Sequence, residues 1–191
     1  MKTNAGRFQK AISMFPKVRG VLARLDAADI PYAIGGSVAL YAQGNGRLPH
    51  DVDVMFVNDA HDAADVVFGL TSEVIKRPNV SMHKSTPVDD GSIDFLSHYT
   101  VIADGVAHHH PPIQKVPVEF EGRQVDLIPA EKIVAIKLIG RRQHHHDLDD
   151  VKELMQRADF DQTIFWEMVD LLNAHEVVTE LIDLLHIQFR K

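Results

Sequence analysis

Ile34-Gly35-Gly36-Ser37, followed after thirteen residues by Asp51-Val52-Asp53-Val54, is the stretch on which the reading of this chain turns. Ile30 to Ile34 has the composition of a short strand, and the two glycines turn the chain into an expected helix over Val38 to Ala42. Gln43 to Pro49 is rich in breakers and reads as a loop. Asp51 to Val57 is the clearest strand. Strand side chains alternate, so Asp51 and Asp53 share one face while Val52 and Val54 take the other.

Each half of the stretch has a plain reading. Gly35-Gly36-Ser37 is an ordinary tight turn with Ser37 as a helix cap, and the aspartates form a solvated strand face. Each also has a chemical one. Glycines let backbone approach a ligand closely, free N–H groups at a helix start favour an anion such as phosphate, and the Ser37 hydroxyl adds a donor. Two neighbouring carboxylates repel unless cations or protons separate them, and hard divalent cations with oxygen ligands are the natural solution. Joined, the turn would hold a triphosphate tail and the acidic strand the ions that bridge it to an attacking oxygen, as in two-metal phosphoryl chemistry.

Outward from this centre, Phe8, Ala11, Ile12 and Phe15, then Val18, Val21, Leu22 and Leu25, recur at helical spacing, with Pro16 as the break between them. A helix is expected over Ala60 to Phe68, and strands near Glu73 to Ile75, Val80 to Lys84 and Ser92 to Leu96. Val116 to Phe120 and Gln124 to Ile128 flank Glu121-Gly122-Arg123 and read as a hairpin. After Ile128 the chain becomes helical, with Pro129 suited to a first helical turn. The expected architecture is therefore α/β (α+β): residues 1–128 form a mixed sheet with N-terminal helices, and residues 129–191 form a helical segment that packs separately or as one unit with it. Phe165, Trp166, Met168 and Val169, with Leu171, Leu172, Leu181, Ile182, Leu184 and Leu185, read as packing positions.

Gly-Gly-Ser followed by Asp-Val-Asp-Val resembles the signature of the nucleotidyltransferase superfamily with the DNA polymerase β-like fold. The resemblance implies a Gly35-Gly36-Ser37 turn for NTP phosphates, a strand holding two Mg²⁺ ions through Asp51 and Asp53, and a third carboxylate on a neighbouring strand. Asp94, in Ser92-Ile93-Asp94-Phe95-Leu96, is the favoured third acid and would also orient or deprotonate the acceptor; Asp126, in Gln124-Val125-Asp126-Leu127, is its rival. Ile128 to Leu138, with Arg141-Arg142 and Asp147-Leu148-Asp149-Asp150, is similar to a block of AbiEii-like and antibiotic-modifying small nucleotidyltransferases. It implies that Lys137, set among apolar helix neighbours, neutralises phosphate charge; otherwise Lys137 snorkels to the surface. Asp147 and Asp150 share a helix face and would position Lys137 or Arg141, or simply start the helix. One position departs from that block: His144-His145-His146 stands where a lysine usually precedes the aspartate.

The expected reaction is transfer of a nucleoside monophosphate from an NTP to an acceptor with release of pyrophosphate. The acceptor is left open among RNA (tRNA included), a small-molecule hydroxyl and a partner protein, with an antitoxin or a second copy as further partners. The rival is a catalytically silent nucleotide-binding or toxin–antitoxin interaction module. Two histidine triplets, His108-His109-His110 and His144-His145-His146, lack the spacing of a purposeful metal site. With no Cys, disulfides, thiolate metal sites and cysteine nucleophiles are excluded. The 45% hydrophobic and 25% charged composition is that of a globular chain. A net charge of -7 argues against a broad nucleic-acid surface and suits a cationic small molecule. No apolar run is long enough for a membrane span and the first residues lack a signal-peptide core, so no membrane partner and a cytoplasmic location are expected.

Overall fold

Pro16 divides the N-terminal periodicity as its chemistry requires: α1 (Ala5–Ser13) ends before it and α2 (Val18–Ala27) begins after it. Phe8, Ala11 and Ile12 of α1, and Val18, Leu22 and Leu25 of α2, are buried. The computed structural model describes residues 3–56, 65–70, 73–76, 80–85, 92–103, 106–110, 115–140, 145–187 and 189.

Short β1 (Tyr32–Ile34) leads through Gly35 into α3 (Gly36–Ala42), and β2 (Val52–Phe56) returns antiparallel to β1 with Ile34 opposite Val54. Residues 65–68 are helical (α4). Then come β3 (Glu73–Lys76), β4 (Val80–Ser85), β5 (Ile93–Ala103), β6 (Val106–His110), β7 (Val116–Phe120) and β8 (Arg123–Leu127). Among the described residues the sheet runs β3-β4-β5-β2-β1-β8-β7, with β6 alongside the far half of β5. β2 and β5 are parallel, as are β1 and β8; the other pairings are antiparallel. The combination of parallel and antiparallel pairs makes the sheet mixed.

The helical third begins after Pro129 with α5 (Ala130–Ile139), followed by α6 (His145–Met155), α7 (Gln162–Leu171) and α8 (His175–Leu184). All residues of α5 except Ile136 are buried, the charged Glu131, Lys132 and Lys137 included. It packs against α3, α6, α7 and α8. The start of α7 is capped by the Asp161 side chain, which accepts from the N–H groups of Thr163 and Ile164. Phe8, Val54, Phe95, Leu127, Val134 and Phe165 belong to one hydrophobic cluster that draws on sheet and helices alike; burying each such side chain contributes about 1.5–3 kcal/mol. The buried Gln43 joins two of these layers. Its Nε2 donates to the carbonyls of Ala39 (3.1 Å) and Ile128 (2.8 Å), and its Oε1 accepts from Ala130 N–H (2.9 Å).

Several local expectations change. Val57 and residues 60–64 lie outside the described residues. The strand expected over Ser92 to Leu96 continues to Ala103, and β6 is additional to the sequence reading: the carbonyl and N–H groups of residues 99–103 need partners, and β6 supplies them. His108, His109 and His110 thus belong to a strand, while His145 and His146 open α6 and His144 lies outside the described residues. Leu184, expected to pack, is 70% exposed, because it falls on the outer face of α8 away from Val178 and Ile182. No helix among the described residues is long and apolar enough to cross a membrane.

Candidate active site

The β1–β2 ladder carries the turn and the acidic strand to the same place. Beyond the Ile34–Val54 pair, Gly35 N–H donates to the Asp53 carbonyl (2.8 Å), extending the ladder by one residue. Gly36 then adopts φ +52°, the left-handed region that a glycine enters without strain. It is also pressed against the acidic strand: a Cβ on Gly36 would overlap Asp53 Oδ2 and crowd its Cγ. Glycine at 36 is therefore required twice, by its backbone angle and by the carboxylate beside it. Ser37 Oγ, next along, donates to Asp51 Oδ1 (3.0 Å).

Strand register brings Asp94 to the paired aspartates. β2 and β5 run parallel with Asp53 opposite Asp94, so the two side chains leave the sheet on one face. Asp51, Asp53 and Asp94 each present a carboxylate oxygen within 4.8 Å of the others. All three are partly shielded, Asp94 retaining 13% side-chain exposure. An all-oxygen donor set of this kind fits a hard divalent cation such as Mg²⁺.

Asp126, the rival, is placed elsewhere. It sits on β8 beside Lys115 (3.2 Å) and lines a separate cavity of about 440 Å³ with Asp26, Asp29 and Tyr32. There it helps burial push the Tyr32 phenol up to about 12, burial being the larger cause. Lys137 lies in the last turn of α5, the helix packed on α3, and is 8% exposed rather than snorkelling. Asp150 pairs with Arg47 of the loop before β2 (2.7 Å); Arg141 and Arg142 lie outside the described residues, as does any account of the Asp147 side chain.

One residue at the cluster escaped the sequence reading. Lys84, on β4, places Nζ 2.5 Å from Asp94 Oδ2. The signal that could have found it is the β4–β5 register, which sets Lys84 opposite Leu96 and hence on the face of Asp94.

A mixed sheet that joins a Gly-Gly-Ser turn to three convergent carboxylates defines the nucleotidyltransferase class of enzymes, which transfer a nucleoside monophosphate. Residues 17–154 match the aminoglycoside-2''-adenylyltransferase family, and the chain belongs to that family. Two solved structures agree on the fold. A Thermotoga maritima protein assigned as a nucleotidyltransferase superposes with a TM-score of 0.57 at 17% identity, covering 72% of this chain and 91% of that one. The lincosamide antibiotic adenylyltransferase LnuA, with lincomycin bound, gives 0.51 at 14% identity over 72% of this chain and 94% of its own. ANT(2'')-Ia, in complex with adenylyl-2''-tobramycin, gives 0.44 at 18% identity over 91% and 94%. No curated protein matches the sequence.

Proposed function

We propose that the protein transfers AMP from ATP to a hydroxyl of a cationic, aminoglycoside-like small molecule, releasing pyrophosphate, in a reaction that depends on Mg²⁺ held by Asp51, Asp53 and Asp94. The observation that carries this reading is the convergence of the three carboxylates beside the Gly35–Ser37 turn. Family membership supports the nucleotide and the acceptor class, and the net charge of -7 suits a cationic acceptor.

In this reading the acceptor oxygen attacks the α-phosphorus, a P–O bond to that oxygen forms, and the bond to the pyrophosphate oxygen breaks. Gly35, Gly36 and Ser37 line the β- and γ-phosphates, and the missing Cβ of Gly36 leaves room for the Asp53 carboxylate beside them. Ser37 also steadies Asp51 through its hydroxyl. Two Mg²⁺ ions would supply charge neutralisation of the polyphosphate and of the attacking oxygen. Asp94 orients the acceptor hydroxyl and takes its proton. Lys137, buried on α5, adds positive charge toward the phosphates. Residues 1–128 carry the phosphate turn and the three carboxylates, and residues 129–191 contribute Lys137 on α5 as part of the same unit.

The test is pyrophosphate release from each of the four NTPs with Mg²⁺, offered separately an aminoglycoside, a lincosamide, tRNA and a cell extract. Release with ATP and the aminoglycoside, abolished in Asp53→Asn, is expected. Label appearing in tRNA or protein instead would overturn the acceptor, and turnover surviving Asp53→Asn would overturn the site.

A further inference from the structure

Three carboxylates within 4.8 Å of one another repel in a protein that holds no nucleotide. Lys84 meets this problem. It lies opposite Leu96 in the β4–β5 register, two residues beyond Asp94 and on the same face, and such diagonal neighbours, roughly 7–8 Å apart, are within reach of a long side chain. Its ammonium contacts Asp94 Oδ2, one of the site's own carboxylates, at 2.5 Å. Neither partner is fully in water, with side-chain exposures of 24% and 13%, so the attraction is screened less than in a surface pair. An ammonium and a divalent cation thus seek the same carboxylate.

We infer that Lys84 is a positioning residue that couples metal loading to nucleotide binding: in the nucleotide-free protein it occupies Asp94 and holds metal affinity down, and it yields that carboxylate when phosphate oxygens arrive to receive its charge. This rests on the proposed metal site at Asp51, Asp53 and Asp94. The coupling is reciprocal, so a bound divalent cation and a bound nucleotide each favour the other through Lys84.

Direct Mn²⁺ titration, by calorimetry or paramagnetic resonance, tests this without turnover. In the nucleotide-free protein, Lys84→Met is expected to bind Mn²⁺ about tenfold more tightly than wild type, and Lys84→Arg, which keeps the charge, to stay within about threefold of it. With a non-hydrolysable ATP analogue bound, the Lys84→Met advantage is expected to shrink to less than about threefold. Should Lys84→Met not fold, Lys84→Gln carries the same expectations. Unchanged or weaker Mn²⁺ binding by the folded neutral variant, or an advantage that persists with nucleotide, overturns the role of Lys84. Asp53→Asn separates the two readings: it is expected to lose Mn²⁺ binding, and if it binds as wild type does, the metal site itself fails.

Discussion

Asp94 and Asp126 are the same residue type in nearly the same setting: a lone acid on a strand, among apolar neighbours, salt-bridged to a lysine. One lies on each side of the β1–β2 pair, Asp94 on β5 and Asp126 on β8. Asp94 is aligned with Asp53 across a parallel pair and so joins two other carboxylates. Asp126 precedes Leu127, which pairs with Ile34; its carboxylate instead faces the cavity with Tyr32, at 30% side-chain exposure against 13% for Asp94. Strand register, not composition, decides which acid enters the cluster.

That contrast can be broken most directly by removing each charge. Asp94→Asn is expected to lower turnover on the order of 10³-fold, the loss of a carboxylate from a metal site, whereas Asp126→Asn changes it less than about threefold. Initial rates of pyrophosphate release measure both, and an equal loss in the two variants would erase the distinction.

Gly36 sharpens the comparison from the other side of the cluster. Gly36→Ala is expected to cost on the order of 10²-fold in turnover, because its Cβ displaces the Asp53 carboxylate. Gly122, in the β7–β8 turn at φ +76° with nothing near its Cβ position, is the control. Gly122→Ala carries a similar left-handed strain of about 1 kcal/mol, visible in thermal unfolding, and leaves turnover within about twofold. A matching activity loss in Gly122→Ala would assign the effect to stability rather than to Asp53.

The smallest effect belongs to Asp126's own surroundings. Tyr32, pushed up to about 12, is expected to ionise above the ordinary phenol value in an absorbance titration. Its folded-state value lies above the unfolded value of about 10, so its contribution to stability is whole below about pH 10 and is lost as pH rises through its folded-state midpoint. Asp126→Asn should lower that midpoint only in part, because burial is the larger cause. A midpoint unmoved by the substitution would detach Asp126 from Tyr32.

Where a local rule governs, the fold was legible. Pro16 separates two helices, and Glu121-Gly122 turns one alternating strand into another. The Gly-Gly-Ser turn and the paired aspartates were legible for the same reason, since neighbours in sequence carry them. Legibility stopped where a partner distant in sequence decides. The end of β5 and all of β6 gave little signal, because a run of three histidines hides alternation. Lys84 and the choice between Asp94 and Asp126 both depend on register between separate strands, which no local window contains. Lys137, buried rather than snorkelling, depended on what surrounds α5: helices arriving from later in the chain cover the faces that a solitary helix would show to water.

Gln43 has a mechanical consequence. One amide grips the last turn of α3, the carbonyl of Ile128 and the first N–H of α5 at once. The segment carrying the Gly-Gly-Ser bend and the segment carrying Lys137 are clamped together as one strut, so any clamshell motion around a substrate has to pivot at another joint.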